Sequence, residues 1–363
     1  MSSASTPNAA ASLYDRERIL EFEFVRATEN AALQAIRWSG RGEKEKADAA
    51  ACAAIAGVFD QLDIQGEVVI GEGLKDKAPG IFVGERLGTW RKGATRFDLA
   101  MDPIDGTTNV AKGLPNSISV IAAAQVAPGS THAMRQLPSF FSHKIAYGPA
   151  VKQAMAARGD VPFLDLPLAE VLKYVADALG KRVRELVVVT MDRARHDDII
   201  RQVRAEGSAL RLISDGDITA AVAPSLVNSG VDLYVGMGGS PEGVLAAAAL
   251  KCLGGDIQLR MWFDHVRHPT HYSEVAALVP PGDLTRVFRA DDLVVGDSAL
   301  FCATGITDSP LLPGVKLIGH RAETHSILMR ARSGTVRHIQ AVHQLDRKSA
   351  PLRESFMDLL QSD

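Results

Sequence analysis

Carboxylates dominate the stretches of this chain whose residue types and spacing could do chemistry. The densest is Phe97-Asp98-Leu99-Ala100-Met101-Asp102-Pro103-Ile104-Asp105-Gly106-Thr107-Thr108. Its apolar start reads as a strand ending at Asp102, where Pro103 removes a backbone donor and fixes φ. Asp102 and Asp105 stand three apart across a tight turn, so both carboxylates can face one point. Gly106 and Thr107 then open a helix whose first amides favour an anion. Carboxylates and carbonyls are hard oxygen ligands that suit Mg²⁺ or Mn²⁺. A phosphate bridging such ions against a helix start is the substrate pose this suggests. A lone Asp-Pro pair is ordinarily a turn with an Asp cap. The full string behind an apolar strand favours a metal and phosphate site.

Other candidates are weaker singly. Glu72 ends a strand between Gly71 and Gly73, which permit close approach but equally mark a hairpin end. Lys44 and Asp48 share a helix face, as a surface ion pair also would. The run Gly236-Met237-Gly238-Gly239-Ser240-Pro241-Glu242-Gly243 follows a strand and opens a helix, with Glu242 in the first turn. It fails the dinucleotide pattern, because Pro241 stands where a glycine is required. Arg193 and Arg195 lie at a strand's carboxyl end, where open α/β sheets bind ligands, and such a pair can grip a phosphate. Asp215-Gly216-Asp217 also follows a strand; its carboxylates can accept sugar hydroxyls, or Asp217 can cap the next helix. His265, His268 and His271 are evenly spaced, but Pro269 interrupts any helix that would align them, so no zinc site is expected.

The positioning elements follow from periodicity. Helices are expected over residues 16–38 and 44–60, then short strands over 67–70, 81–83, 96–101 and 118–126, with a loop over 128–138. From about residue 165 strands and helices alternate: helices at 168–179, 197–205 and 241–253, strands at 186–191, 210–213 and 231–235. That rhythm argues for βαβ units and a parallel sheet. Short strands return after Asp256, including 293–295 and 335–339. The expected division is a disordered tail over 1–14, an α+β metal-site domain over 15–160 and an α/β substrate-binding domain over 161–363.

Bulk numbers exclude several classes. The 363 residues are 46% hydrophobic and 23% charged, ordinary globular usage. A net charge of −3 without a basic block argues against nucleic-acid binding. The longest apolar run, 49–56, is far short of the ~18 residues of a membrane helix. Cys52, Cys252 and Cys302 form no CxxC pair, which fits a reducing, cytoplasmic setting. The first thirteen residues fit neither a signal nor a transit peptide.

With Asp102-Pro103-Ile104-Asp105-Gly106-Thr107 joined to Gly71-Glu72-Gly73, Arg195-His196-Asp197, Asp215-Gly216-Asp217 and the Gly238–Gly243 string, the sequence resembles the class II (GlpX-type) fructose-1,6-bisphosphatases. Gly305-Ile306-Thr307 and Leu345-Asp346-Arg347-Lys348 add to the likeness, which spans residues 16–348. These enzymes belong with the inositol monophosphatases to the lithium-sensitive, metal-dependent sugar phosphatases. The resemblance implies a layered αβαβα fold with two sheets. It implies hydrolysis of fructose 1,6-bisphosphate to fructose 6-phosphate, with sedoheptulose 1,7-bisphosphate as a second candidate substrate, by a homodimer or homotetramer. A related inositol or sugar monophosphatase, or a non-catalytic sugar-phosphate sensor, is the alternative. Asp48, Glu72, Asp102, Asp105 and Glu242 match metal ligands, and Asp102 counts also among the catalytic groups. Thr107 matches the residue that orients the attacking water, and Lys44 an active-site lysine. Arg193 and Arg195 match phosphate contacts. Asp105, Gly106, Thr107, Asp215, Gly216, Asp217 and Gly239 match substrate-binding positions. Three departures stand out: Phe141 takes the place of a substrate-contacting tyrosine, Arg193 that of a lysine, and Leu74 that of an acid.

Overall fold

The structure is a computed structural model that describes residues 9–71, 81–263 and 270–348. Helices α1 (Ala9–Ala35) and α2 (Lys44–Phe59) run back along each other, with Phe24 stacked on Phe59 at 5.5 Å. There follow β1 (Ile64–Ile70), β2 (Arg86–Leu87), β3 (Thr95–Asp105), α3 (Thr107–Lys112) and β4 (Ile118–Gln125). The middle of the chain forms β5 (Phe141–Tyr147), α4 (Pro149–Arg158), α5 (Leu168–Leu179), β6 (Val187–Met191), α6 (Asp197–Ala205), β7 (Ala209–Ile213) and α7 (Asp217–Val222). Then come β8 (Leu233–Gly239), α8 (Ser240–Leu253), β9 (Asp256–Met261), α9 (His271–Ala276) and α10 (Ala290–Leu293). Strands β10 (Leu300–Gly305), β11 (Lys316–Ile318), β12 (Arg321–Arg330) and β13 (Thr335–Gln344) follow.

Two sheets result. The first is ordered β11-β12-β10-β4-β3-β1-β2, with β13 on β12; the second is ordered β7-β6-β8-β5-β9. Along β4, Val120, Ala122 and Ala124 enter the core between the sheets, whereas Ile121 and Ala123 enter the core under α1 and α2. This alternation marks a sheet covered on both faces. Helices α7 and α8 fill the space between the sheets, and α4, α5 and α6 cover the outer face of the second. The layers are therefore α1/α2, sheet, α7/α8, sheet, α4/α5/α6, the αβαβα stack that the resemblance implied.

Several expectations are corrected. Residues 81–83 form no strand, because Ile81 sits at φ 52°, outside extended backbone. Residues 293–295 form no strand either: Leu293 ends α10, which Asp292 caps by accepting from the Arg289 amide at 2.8 Å, and Val294 makes only an isolated bridge to Met134. Helix α1 starts at Ala9, inside the segment read as a tail, and residues 1–8 lie outside the described residues. The second sheet is mixed. Strands β8 and β9 are joined through α8 as a βαβ unit, but antiparallel β5 is inserted between them. Nor do the sheets divide at residue 160: β5 belongs to the second, and β10 to β13 return to the first.

Candidate active site

The acidic turn is built by a bulge. Asp102 pairs with Val120 and Asp105 with Ile118, so three steps on β3 oppose two on β4. Such an extra residue bends a strand and re-aims its side chains, and it is where a sheet accepts proline, here Pro103. Asp102 Oδ1 accepts from the Ile104 amide at 3.1 Å. Gly106 follows at φ 92°, a conformation that side chains rarely adopt, and α3 starts at Thr107. The Asn116 carbonyl lies against Gly106 and against Gly216, itself at φ 99°; a Cβ would come within 2.7 Å and 3.1 Å of it respectively. One carbonyl thus joins the turn after β3 to the turn before α7.

The second half supplies the opposing wall. The Ile218 amide of α7 donates to the Asp105 carboxylate, across the junction. Burial, then the charges of Asp215, Asp217 and Glu242, push the Asp105 carboxyl well above the usual range. Burial likewise raises Glu242; Lys144 opposes the rise, and Asp217 and Asp215 add to it. The Glu242 carboxylate lies so close to Gly239 that a Cβ there would come within 2.0 Å of Oε2. Asp105 Oδ2 and Glu242 Oε2 are buried without a hydrogen-bond partner.

Cations line one side. Strand β8 pairs with β6 only at Leu233 and Tyr234, and beyond them side chains take over its edge. Arg195 Nε donates to the Met237 carbonyl at 2.9 Å, and the Met237 amide donates to His196 Nε2 at 2.9 Å. The Arg195 guanidinium also covers the Phe141 ring at 4.8 Å. Arg193 is exposed and 3.9 Å from Asp215. It borders a cleft of about 390 Å³ lined also by Thr108, Asn109, Asn116 and Ser214, beside the start of α3.

A turn bearing acids, a facing acid wall and a basic rim are the parts of a phosphoryl-transfer site. The family model for bacterial fructose-1,6-bisphosphatase, glpX-encoded, matches residues 18–343. The chain belongs to that family. It is 38% identical over 344 residues to "Fructose-1,6-bisphosphatase 1 class 2" of Escherichia coli (strain K12), covering 93% of this chain and 98% of the relative. The same identity and coverage hold for "Fructose-1,6-bisphosphatase class 2" of Escherichia coli O6:H1 and of Shigella flexneri.

Within this glpX-type chain, the structure brings Asp105, Asp215, Asp217 and Glu242 into mutual electrostatic reach, with Arg195 beside them. Asp102 precedes them by the bulge. Lys44 is exposed and Asp48 half-buried on α2, which packs against α3 and β3. The Gly40 and Gly42 amides pin the start of that helix to the Val110 and Ala111 carbonyls of α3, each at 2.9 Å. Glu72 lies outside the described residues, as do Leu74, His265 and His268. Among the described residues no three Asp, Glu, His or Cys side chains form a ready metal cage. The two unpartnered carboxylate oxygens nonetheless fit a hard divalent cation, since a buried carboxylate oxygen without a donor is otherwise costly. Sequence reasoning missed Lys144, Tyr234 and Asn116. Lys144 carries a signal: a lysine inside the strand Phe141–Tyr147, where alternation leads into the core.

Proposed function

We propose that the chain is a phosphoric monoester hydrolase that removes the 1-phosphate of fructose 1,6-bisphosphate, releasing fructose 6-phosphate and inorganic phosphate. The observation that carries this is the pair of unpartnered buried oxygens on Asp105 and Glu242, set beside Arg195, in a glpX-type chain. Divalent cations, Mg²⁺ or Mn²⁺, held by Asp102, Asp105 and Glu242 with Asp48 and Glu72, would neutralise the phosphoryl oxygens and acidify the attacking water. Thr107, first in α3, would orient that water. Lys44, at the start of α2, adds positive charge on the same side. Arg193 and Arg195 take the second phosphate, which distinguishes a bisphosphate from an inositol monophosphate. Asp215, Gly216, Asp217 and Gly239 line the sugar's side of the site. Phe141, under Arg195, packs where a hydroxyl contact would otherwise be made.

Kinship with the lithium-sensitive sugar phosphatases rests on the Asp102–Thr107 string at the β3–α3 junction, and inhibition by lithium checks it. A homodimer or homotetramer acting in the cytoplasm completes the reading, checked by light scattering and fractionation. Among the described residues no helix is long and apolar enough to cross a membrane. The deciding assay is phosphate release from fructose 1,6-bisphosphate, sedoheptulose 1,7-bisphosphate and inositol 1-phosphate, with and without EDTA. Equal turnover of fructose 1,6-bisphosphate after chelation sinks the metal reading. Preference for inositol 1-phosphate sinks the bisphosphate reading.

A further inference from the structure

Lys144 has no role in the reaction as described, yet its side chain is only 1% exposed and reaches the wall of the site. Its Nζ forms an ion pair with Asp217 Oδ2 and donates to the Gly239 carbonyl at 2.7 Å. The same ammonium thus ties the start of α7 to Gly239, where β8 passes directly into α8. Tyr234, fully buried on β8, donates its hydroxyl to the other oxygen, Asp217 Oδ1. Asp217 is therefore held at both oxygens by side chains that come from neighbouring strands of the second sheet.

A buried ammonium is costly to desolvate and persists only where paired, so a hydrophobic residue of similar length would fill this strand position more cheaply. Retention of a charge here is explained if the site needs Asp217 and Gly239 in one fixed relation. We infer that Lys144 and Tyr234 are positioning residues for sugar recognition: they orient Asp217, and Lys144 couples it to Gly239, while neither touches substrate. This deepens the reading of Asp217 and Gly239 as sugar-side residues, and rests on it. Each Asp217 oxygen keeps a second lone pair, so a sugar hydroxyl can still donate to it.

The test compares Lys144→Met, Tyr234→Phe and Asp217→Asn in the full chain, with thermal melting as the folding control. The measured quantities are KM and kcat for fructose 1,6-bisphosphate, and inhibition constants for fructose 6-phosphate and for inorganic phosphate. KM and the fructose 6-phosphate constant are expected to rise about tenfold for Lys144→Met and about threefold for Tyr234→Phe, with kcat falling less. The inorganic phosphate constant stays within twofold, because the arginine grip is untouched. A merely structural role would weaken sugar and phosphate inhibition in step, or neither, and that result overturns the inference. Should Lys144→Met fail to fold, Tyr234→Phe alone decides. If Asp217→Asn loses sugar affinity while the other two do not, the positioning inference fails and the sugar reading stands. If Asp217→Asn is also silent, the sugar reading itself has failed.

Discussion

Replacing Gly106 by alanine probes the joint between the halves of the site. The residue sits at φ 92°, and a Cβ would come 2.7 Å from the Asn116 carbonyl and 2.9 Å from Ser117 Oγ. Left-handed backbone costs an ordinary residue about 1–2 kcal/mol. Overpacking against a backbone atom that is itself anchored adds about 1–3 kcal/mol. The sum, about 2–5 kcal/mol, corresponds to a melting temperature lower by roughly 3–7 °C for a chain of 363 residues. Gly180→Ala is the control: φ there is 63°, but nothing lies within 4 Å of the added carbon, so only the backbone cost applies. The difference between the two variants in urea unfolding isolates the clash. Because Gly106 lies between Asp105 and Thr107, a shift of ~1 Å there also lowers kcat by about 10²-fold. Equal destabilisation by the two variants, or full activity of Gly106→Ala, would refute the reasoning.

Other outcomes follow from single contacts. Arg195→Met raises KM for the bisphosphate, the loss of a hydrogen bond to a charged group being worth about 1.5–3 kcal/mol; Arg195→Lys falls between, and unchanged KM in steady-state assays excludes the phosphate grip. Glu21 and Arg330, 2% and 3% exposed and 3.2 Å apart, form a buried pair, and Glu21 also pairs with Arg337, so Glu21→Ala destabilises by about 1–3 kcal/mol in denaturant titration. All three cysteines are buried, and burial pushes Cys252 and Cys302 up to about 12; a disulfide reagent at pH 8 therefore titrates three thiols only after unfolding. Burial, then Arg195, lowers His196 from 6.5 to about 4, so the unfolded chain binds a proton there that the folded chain refuses. Stability from this group is full above pH 6.5 and is lost as pH falls toward 4; His196→Gln flattens that slope in melts across the range.

The local grammar of the site was readable in the sequence, and its assembly was not. Asp102 to Thr107 announced a strand and a helix start, and both are present, because each depends on neighbours in the chain; the turn expected at Pro103 is instead a bulge, and the strand runs on to Asp105. The helices expected at 168–179 and 197–205 likewise match α5 and α6. Sheet order depends instead on contacts between distant residues. Nothing local in residues 300–344 tells that they rejoin the first sheet, nor that β5 would lie between β8 and β9. Lys144 escaped notice for a related reason: a lysine in a strand ordinarily faces water, and the partners that hold this one inward, Asp217 and Gly239, lie 73 and 95 residues away.

Helix α8 carries a consequence for how the molecule moves. Ten of its fourteen residues are buried, including the run Ala246–Ala249, so both sheets rest on it at the distance that methyl groups allow. A wall shared so closely ties the two sheets to one helix. A bulkier side chain anywhere in the alanine run is therefore expected to push the two sheets apart, and with them the halves of the site that each sheet carries.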